Sequence, residues 1–275
     1  MPRSVLLCPP TYFDVREVKN PYMRPLAQVD PMRAQHQWQN LRDALQLAGL
    51  QVELIDPVKE LEDMVFAANQ LFVGESAKVG KFVVPSRMRY VSRRKEVPYF
   101  VDWFRKRGYK VLELDLGDEF LEGHGDLLWD ADRSRVFAGF GFRSSRGGVE
   151  KFANAMKELQ IPVVPLELTD ENFYHLDTAL TLLKPGAALM YPGAFSPAAL
   201  DSLRKSIPRL YEVDREDALN FACNGVVANG KYIGPQVSTR IAQALNKEGL
   251  EAVVVDTSEF LKSGGSTFCM ALLFD

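Results

Sequence analysis

The chain has 275 residues, 47% hydrophobic and 25% charged, an ordinary composition for a globular protein. Its 33 basic and 36 acidic residues leave a formal net charge of -3, which argues against a sequence-independent nucleic-acid binder. No apolar run reaches the roughly 18 residues that span a bilayer. In chain order, the opening MPRSVLLCPP has an apolar stretch too short for a signal-peptide core, cut off by two prolines. Helical periodicity then runs over about 31–48 and stops at Gly49, where a run closes on Asp56. The same unit recurs four times: a helix over 96–107 before Gly108 and a run closing on Asp115; 147–159 before a run closing on Glu167; 196–206 before one closing on Asp214; and 236–248 before Gly249 and one closing on Asp256. Apolar residues at three-to-four spacing, such as Phe100, Trp103 and Phe104, carry the helices. Gly49, Gly108 and Gly249 sit where a C-cap glycine belongs. Asn229-Gly230, between GVVA and KYIG, signals a hairpin.

Alternating strands and helices define an α/β fold. A period of roughly 40 to 60 residues favours five pseudo-symmetric modules arranged radially, an α/β propeller, over a doubly wound sheet. No linker or low-complexity stretch divides the chain, so a single catalytic domain over 1–275 is expected.

About ten residues after each closing acid comes a compact polar element: DMVFAAN (63–69), EGHGD (122–126), HLD (175–177), NFACN (220–224) and KSGGSTFC (262–269). In a radial fold, equivalent positions face one axis. Carboxylates, amides, a histidine and one or two cysteines would then meet in one pocket, the composition of a nucleophilic site. Of three histidines, His36 in QHQWQN reads as surface or packing, and His124, between two glycines, as a turn residue in preference to one lining the pocket. His175 is favoured as functional, because a strand would put it and Asp177 on one face. Cys8 in VLLC reads as core, while position alone barely separates Cys223 from Cys269. The three cysteines contain no CxxC pair, which fits a reducing, cytoplasmic setting. An acidic pocket around a thiol makes sense for a cationic substrate. A guanidinium stays charged, pairs with carboxylates through its planar fork and favours the thiolate. Arg87 and Arg143, each just after a strand, are candidates for a substrate carboxylate. GFGF has no dinucleotide fingerprint around it, and no zinc-ligand spacing occurs, so neither a cofactor nor a metal is expected.

The stretches CPPTYFDV, KNPYM, DMVFAAN, EGHGDLLW, AGFGFRS, FYHLDT, NFACN and EFLKSGGSTFC, spanning residues 8 to 269, resemble the guanidine-modifying superfamily of the pentein fold. This superfamily includes arginine deiminases, dimethylarginine dimethylaminohydrolases and amidinotransferases. The chain is most similar to the bacterial arginine dihydrolase module, which is sometimes fused to an ornithine-processing domain. The resemblance implies Cys269 as nucleophile, His175 as general acid/base and Glu122 as the carboxylate orienting that histidine, with Asp126 close by. It implies Asp177 and Asn69 as guanidinium contacts, Asn20, Arg87 and Arg143 as contacts to the amino-acid end, and Asp126 as a further substrate-binding residue. Many members have EGGD, whereas EGHGD sets Glu122 and Asp126 four positions apart, so either can hold the histidine. Deiminases and dimethylaminohydrolases carry Asp where this chain has Asn69.

The implied activity is hydrolysis at the guanidinium carbon of arginine through a covalent intermediate, giving citrulline or, after two cycles, ornithine and ammonia. A dimethylarginine dimethylaminohydrolase and an amidinotransferase are alternatives. A ribosome anti-association-type binding protein shares the fold without the Cys–His pair. The expected partner is a small guanidino molecule such as arginine, not nucleic acid or a membrane, and homo-oligomer formation is compatible with the pattern. Ornithine processing is not expected of these residues.

Overall fold

The structure, a computed structural model, describes residues 3–24 and 27–275. Met1, Pro2, Pro25 and Leu26, which belong to the opening segment and to the expected 1–275 domain, lie outside the described residues.

The strands are β1 (Ser4–Leu7), β2 (Gln51–Leu54), β3 (Leu71–Ser76), β4 (Gly80–Pro85), β5 (Lys110–Val111), β6 (Leu127–Trp129), β7 (Val136–Phe140), β8 (Val163–Glu167), β9 (Leu180–Lys184), β10 (Ala187–Met190), β11 (Arg209–Glu212), β12 (Val226–Ala228), β13 (Lys231–Gly234), β14 (Glu251–Val254) and β15 (Leu272–Phe274). They form five three-stranded sheets: β3-β4-β5, β6-β7-β8, β9-β10-β11, β12-β13-β14 and β15-β1-β2. Each sheet joins an antiparallel pair to a parallel third strand. A helix makes each parallel crossover: Pro31–Leu47, Val97–Arg105, Arg146–Glu158, Pro197–Ser206 and Thr239–Lys247. These match the five repeats read from the sequence, and the fold is the five-bladed pentein α/β propeller.

Local chemistry sets the boundaries. Asp30, Ser145, Ser196 and Ser238 cap their helices by accepting backbone N–H groups. Gly49, Gly108 and Gly249 leave theirs at φ +83°, +82° and +65°, a region that penalises a Cβ. The inward faces of the helices are apolar: Trp38, Leu41 and Leu45 in the first are buried, each contributing about 1.5–3 kcal/mol of transfer free energy.

The ring closes through the chain ends. β15 pairs antiparallel with β1, so the C-terminal strand supplies the inner edge of the N-terminal blade. β3, β6, β9, β12 and β15 are the first strands of their blades, and neighbours among them touch around the axis, as β9 does β12 and β15 does β3. Every polar element singled out in the sequence lies immediately before one of these inner strands. That is why residues two hundred positions apart meet.

Candidate active site

A small pocket opens at the N-terminal ends of the inner strands, and both Cys269 and His175 line it. His175 is extended and begins a short 3₁₀ turn over Leu176–Thr178. The strand expected to place His175 and Asp177 on one face is therefore absent. The turn sends the two side chains apart, His175 to Glu122 and Asp177 to Cys269. The His175 Nε2 lies 2.8 Å from Glu122 Oε2. This distance picks Glu122 over Asp126 as the carboxylate on the imidazole.

Glu122 also accepts from Arg143 Nη1 at 2.9 Å and from the Arg89 backbone N–H at 2.8 Å. Burial alone would raise its pKa. Arg143, His175 and Arg93 outweigh burial and hold the carboxyl well below its usual range. Arg143 lines the pocket between the rings of Tyr90 and Tyr174, 4.9 and 4.7 Å from their centres. Its Nη2 donates to the Lys19 carbonyl, so its charge is spent on Glu122 and its planar face on aromatics.

Cys269 Sγ lies 3.1 Å from Asp177 Oδ2 and 3.2 Å from Asn224 Nδ2. Burial, reinforced by Asp177, pushes the thiol well above its ordinary value. Burial likewise raises Asp177 from 3.8 to about 7. The other Asp177 oxygen, Oδ1, is buried with no partner among the described residues. Asp63 Oδ1 is in the same condition, while Asp63 Oδ2 holds Lys19 Nζ at 2.9 Å. Cys8 and Cys223 are buried away from the pocket.

Asn69 is fixed by Arg93, whose Nη1 donates to Asn69 Oδ1 at 2.9 Å. That leaves Asn69 Nδ2, a donor, buried and unpartnered. Arg93 is itself held by Glu96 Oε2 at 3.0 Å. Asn20 lines the pocket, but its amide braces the backbone: Nδ2 donates to the Ser263 carbonyl at 3.0 Å, and Oδ1 accepts from Tyr22 N–H at 3.0 Å.

Two expected substrate contacts are elsewhere. Arg87 has a side chain 35% exposed that faces Asp118 at 3.7 Å, and it does not line the pocket. Asp126 is buried behind the histidine, where Oδ1 accepts from Leu176 N–H and Oδ2 from Ser144 N–H, so it shapes the turn instead of meeting a ligand. Lys19, Arg93 and Asn224 also stand at the site, as does Asp63 of the acidic element DMVFAAN. Three of them stand inside the quoted motifs KNPYM, DMVFAAN and NFACN, whereas Arg93 lies in SRRKE, a charge run that reads as solvated. Among the described residues no group of three His, Cys, Asp or Glu side chains could hold a metal ion, and no helix is long and apolar enough to cross a membrane.

The family model for N,N dimethylarginine dimethylhydrolase, eukaryotic, matches residues 9–273. The bifunctional arginine dihydrolase/ornithine cyclodeaminase ArgZ of Synechocystis sp. is 37% identical over 98% of this chain, which spans 37% of that relative's length. The N(G),N(G)-dimethylarginine dimethylaminohydrolase of Mycobacterium tuberculosis is also 37% identical, over 98% of this chain and 85% of its own. Among solved structures, the N-terminal domain of ArgZ bound to substrate superposes with a TM-score of 0.90 at 36% identity, covering 98% of this chain and 97% of that one.

Proposed function

The chain belongs to the guanidine-modifying superfamily of the pentein fold, and on that premise we propose that it is a cysteine-dependent hydrolase acting on the guanidinium carbon of arginine. The observation that carries this reading is a pair of buried carboxylate oxygens without partners among the described residues: Asp63 Oδ1, on the pocket wall that also bears the Cys269 thiol, and Asp177 Oδ1, whose other oxygen lies 3.1 Å from that thiol. Buried acceptors left unpaired are costly, and a guanidinium offers only donors, in a plane, so it satisfies them. Its charge beside Asp177 offsets the carboxylate that keeps Cys269 protonated, and the thiolate forms when substrate is bound.

The thiolate adds to the guanidinium carbon, and His175, held by Glu122, protonates the departing nitrogen. Ammonia leaves and a thiouronium on Cys269 remains. His175 then takes a proton from water, which adds to the same carbon. The C–S bond breaks, the thiol is restored and citrulline is released. Asn69 supports a second cycle. With Oδ1 committed to Arg93, its Nδ2 is a free donor suited to the oxygen of an uncharged ureido group. A second water then gives ornithine, carbon dioxide and another ammonia. The Asp found at this position in many relatives has no proton to donate when ionised.

A second reading, release of dimethylamine from dimethylarginine, draws on the equal identity to the Mycobacterium tuberculosis enzyme. Incubation with arginine and with dimethylarginine separates the two. Arginine should yield citrulline or ornithine with ammonia, and mass spectrometry should find a covalent adduct on Cys269. Turnover of dimethylarginine alone reverses the substrate assignment. Full activity in Cys269→Ser removes the thiol mechanism.

A further inference from the structure

A second cavity lies further along the inner strands, on β6, β9, β12 and β15 beyond the ends that hold the catalytic pocket. Its walls are mostly apolar, with Trp129, Val227 and Phe268 among them. Its charged residues are already matched: Arg133 Nη1 holds Asp275 at 2.8 Å, and Asp130 holds Arg135 at 3.3 Å.

One polar group on the wall is unmatched. His124 is 4% exposed, and its ring stacks on Phe72 with centroids 5.2 Å apart. The Val73 backbone N–H donates to His124 Nε2 at 3.0 Å, so the ring proton sits on Nδ1. That N–H has no hydrogen-bond partner among the described residues. Burial, aided by the Arg133 charge, lowers the pKa of the ring to about 3, so His124 stays a neutral single donor.

The cavity also abuts the reaction centre through the chain. His124 stands between Glu122 and Asp126 in one turn, Gly225 follows Asn224, and Phe268 precedes Cys269. The Phe268 N–H donates to the Asn224 carbonyl at 2.9 Å and to its Oδ1 at 3.1 Å. Asn224 in turn touches the thiol. A molecule pressing on Phe268 therefore acts one position from the nucleophile, and one drawing on His124 acts two positions from Glu122, the partner of His175.

We propose that this cavity is an effector site for a compact, mainly apolar molecule with one carbonyl or carboxylate oxygen, which binds His124 and changes the reactivity of Cys269. The inference does not depend on the proposed substrate, because the thiol itself is the readout. Calorimetric titration with 4-methylpentanoate and with 4-methylpentanamide is the test, alongside the rate of Cys269 alkylation by iodoacetamide. Saturable binding is expected, with the better of the two probes telling whether an acid or a neutral carbonyl is the natural source. Bound probe should change the alkylation rate by at least about threefold. Val227→Phe, which fills the cavity, should weaken binding at least about tenfold and leave the probe without effect on the alkylation rate. His124→Phe, which keeps the stack on Phe72 but removes the donor, should weaken it as well. Failure of both probes to saturate, equal binding by Val227→Phe, or binding without a change in alkylation would each overturn the proposal.

Discussion

The thiol of Cys269 lies 3.1 Å from the carboxylate of Asp177, and both groups are almost wholly buried. Each opposes ionisation of the other, so at rest the pair carries at most one negative charge, on Asp177 and not on the thiol. Free protein should therefore be alkylated at Cys269 only slowly near neutral pH, with a rate midpoint above the ~8.5 of an ordinary thiol. Saturating arginine should lower that midpoint where alkylation still competes. Asp177→Asn should lower it in free protein and remove the further shift on adding arginine. A free-protein midpoint matching that of a model thiol would contradict the arrangement.

The same burial links Asp177 to stability. Its value rises from 3.8 to about 7, so folding favours the neutral carboxyl. That contribution is complete below 3.8 and is lost as pH rises through about 7. Glu96, raised by burial to about 7, titrates in the same window. It is common to wild type and Asp177→Asn, and cancels in their difference. The melting temperature of wild type relative to Asp177→Asn should fall across this window. A flat difference would show that the carboxyl is not held neutral.

Glu122 has the opposite sign. Its depressed pKa stabilises the fold above its ordinary 4.5, and that support is lost only as pH falls through the lower folded value. Glu122→Gln leaves the buried Arg143 guanidinium without its counter-charge, a change that costs about 3–5 kcal/mol in comparable pairs. It also frees the imidazole of His175. Turnover should drop by about 10²–10⁴, together with a lower melting temperature. Near-normal turnover would mean that Glu122 does not position the histidine.

Arg87 and Arg143 should behave differently although both follow a strand. Arg87→Ala removes a half-exposed side chain paired loosely with exposed Asp118, so stability should change by no more than about 0.5 kcal/mol and KM by less than about threefold. Arg143→Ala should cost far more in both. A large KM effect in Arg87→Ala would put that arginine back at the substrate.

Gly125 is where the EGHGD turn passes closest to the site. A Cβ there would run into Asn69 Nδ2 and come within 3.2 Å of the His175 ring. Gly125→Ala should lower kcat by about tenfold or more, since misplacement on the ångström scale is enough, with a smaller effect on folding. Steady-state kinetics beside a thermal melt checks it. Unchanged kcat would mean the two side chains have room to yield.

Much of this protein was legible in its sequence because local rules govern it. Helix periodicity, caps and the closing acids repeat five times, and each repeat builds the same crossover wherever it stands in the chain. The eight motifs located the thiol, the imidazole and their surroundings, since nucleophilic chemistry needs rare residue types and those stand out. Side-chain direction was not local. Arg87 and Arg143 follow similar strand ends, yet one faces Asp118 and the other Glu122, because packing between blades decides which side is interior. Asp126 reads like a ligand contact but is consumed by the N–H groups of Leu176 and Ser144. Arg93 reads as a solvated charge but is 4% exposed beside Asn69. The oxygens of Asp63 and Asp177 that lack a partner among the described residues arise only when the inner strands converge, so this pair of open acceptors is a property of the assembled ring.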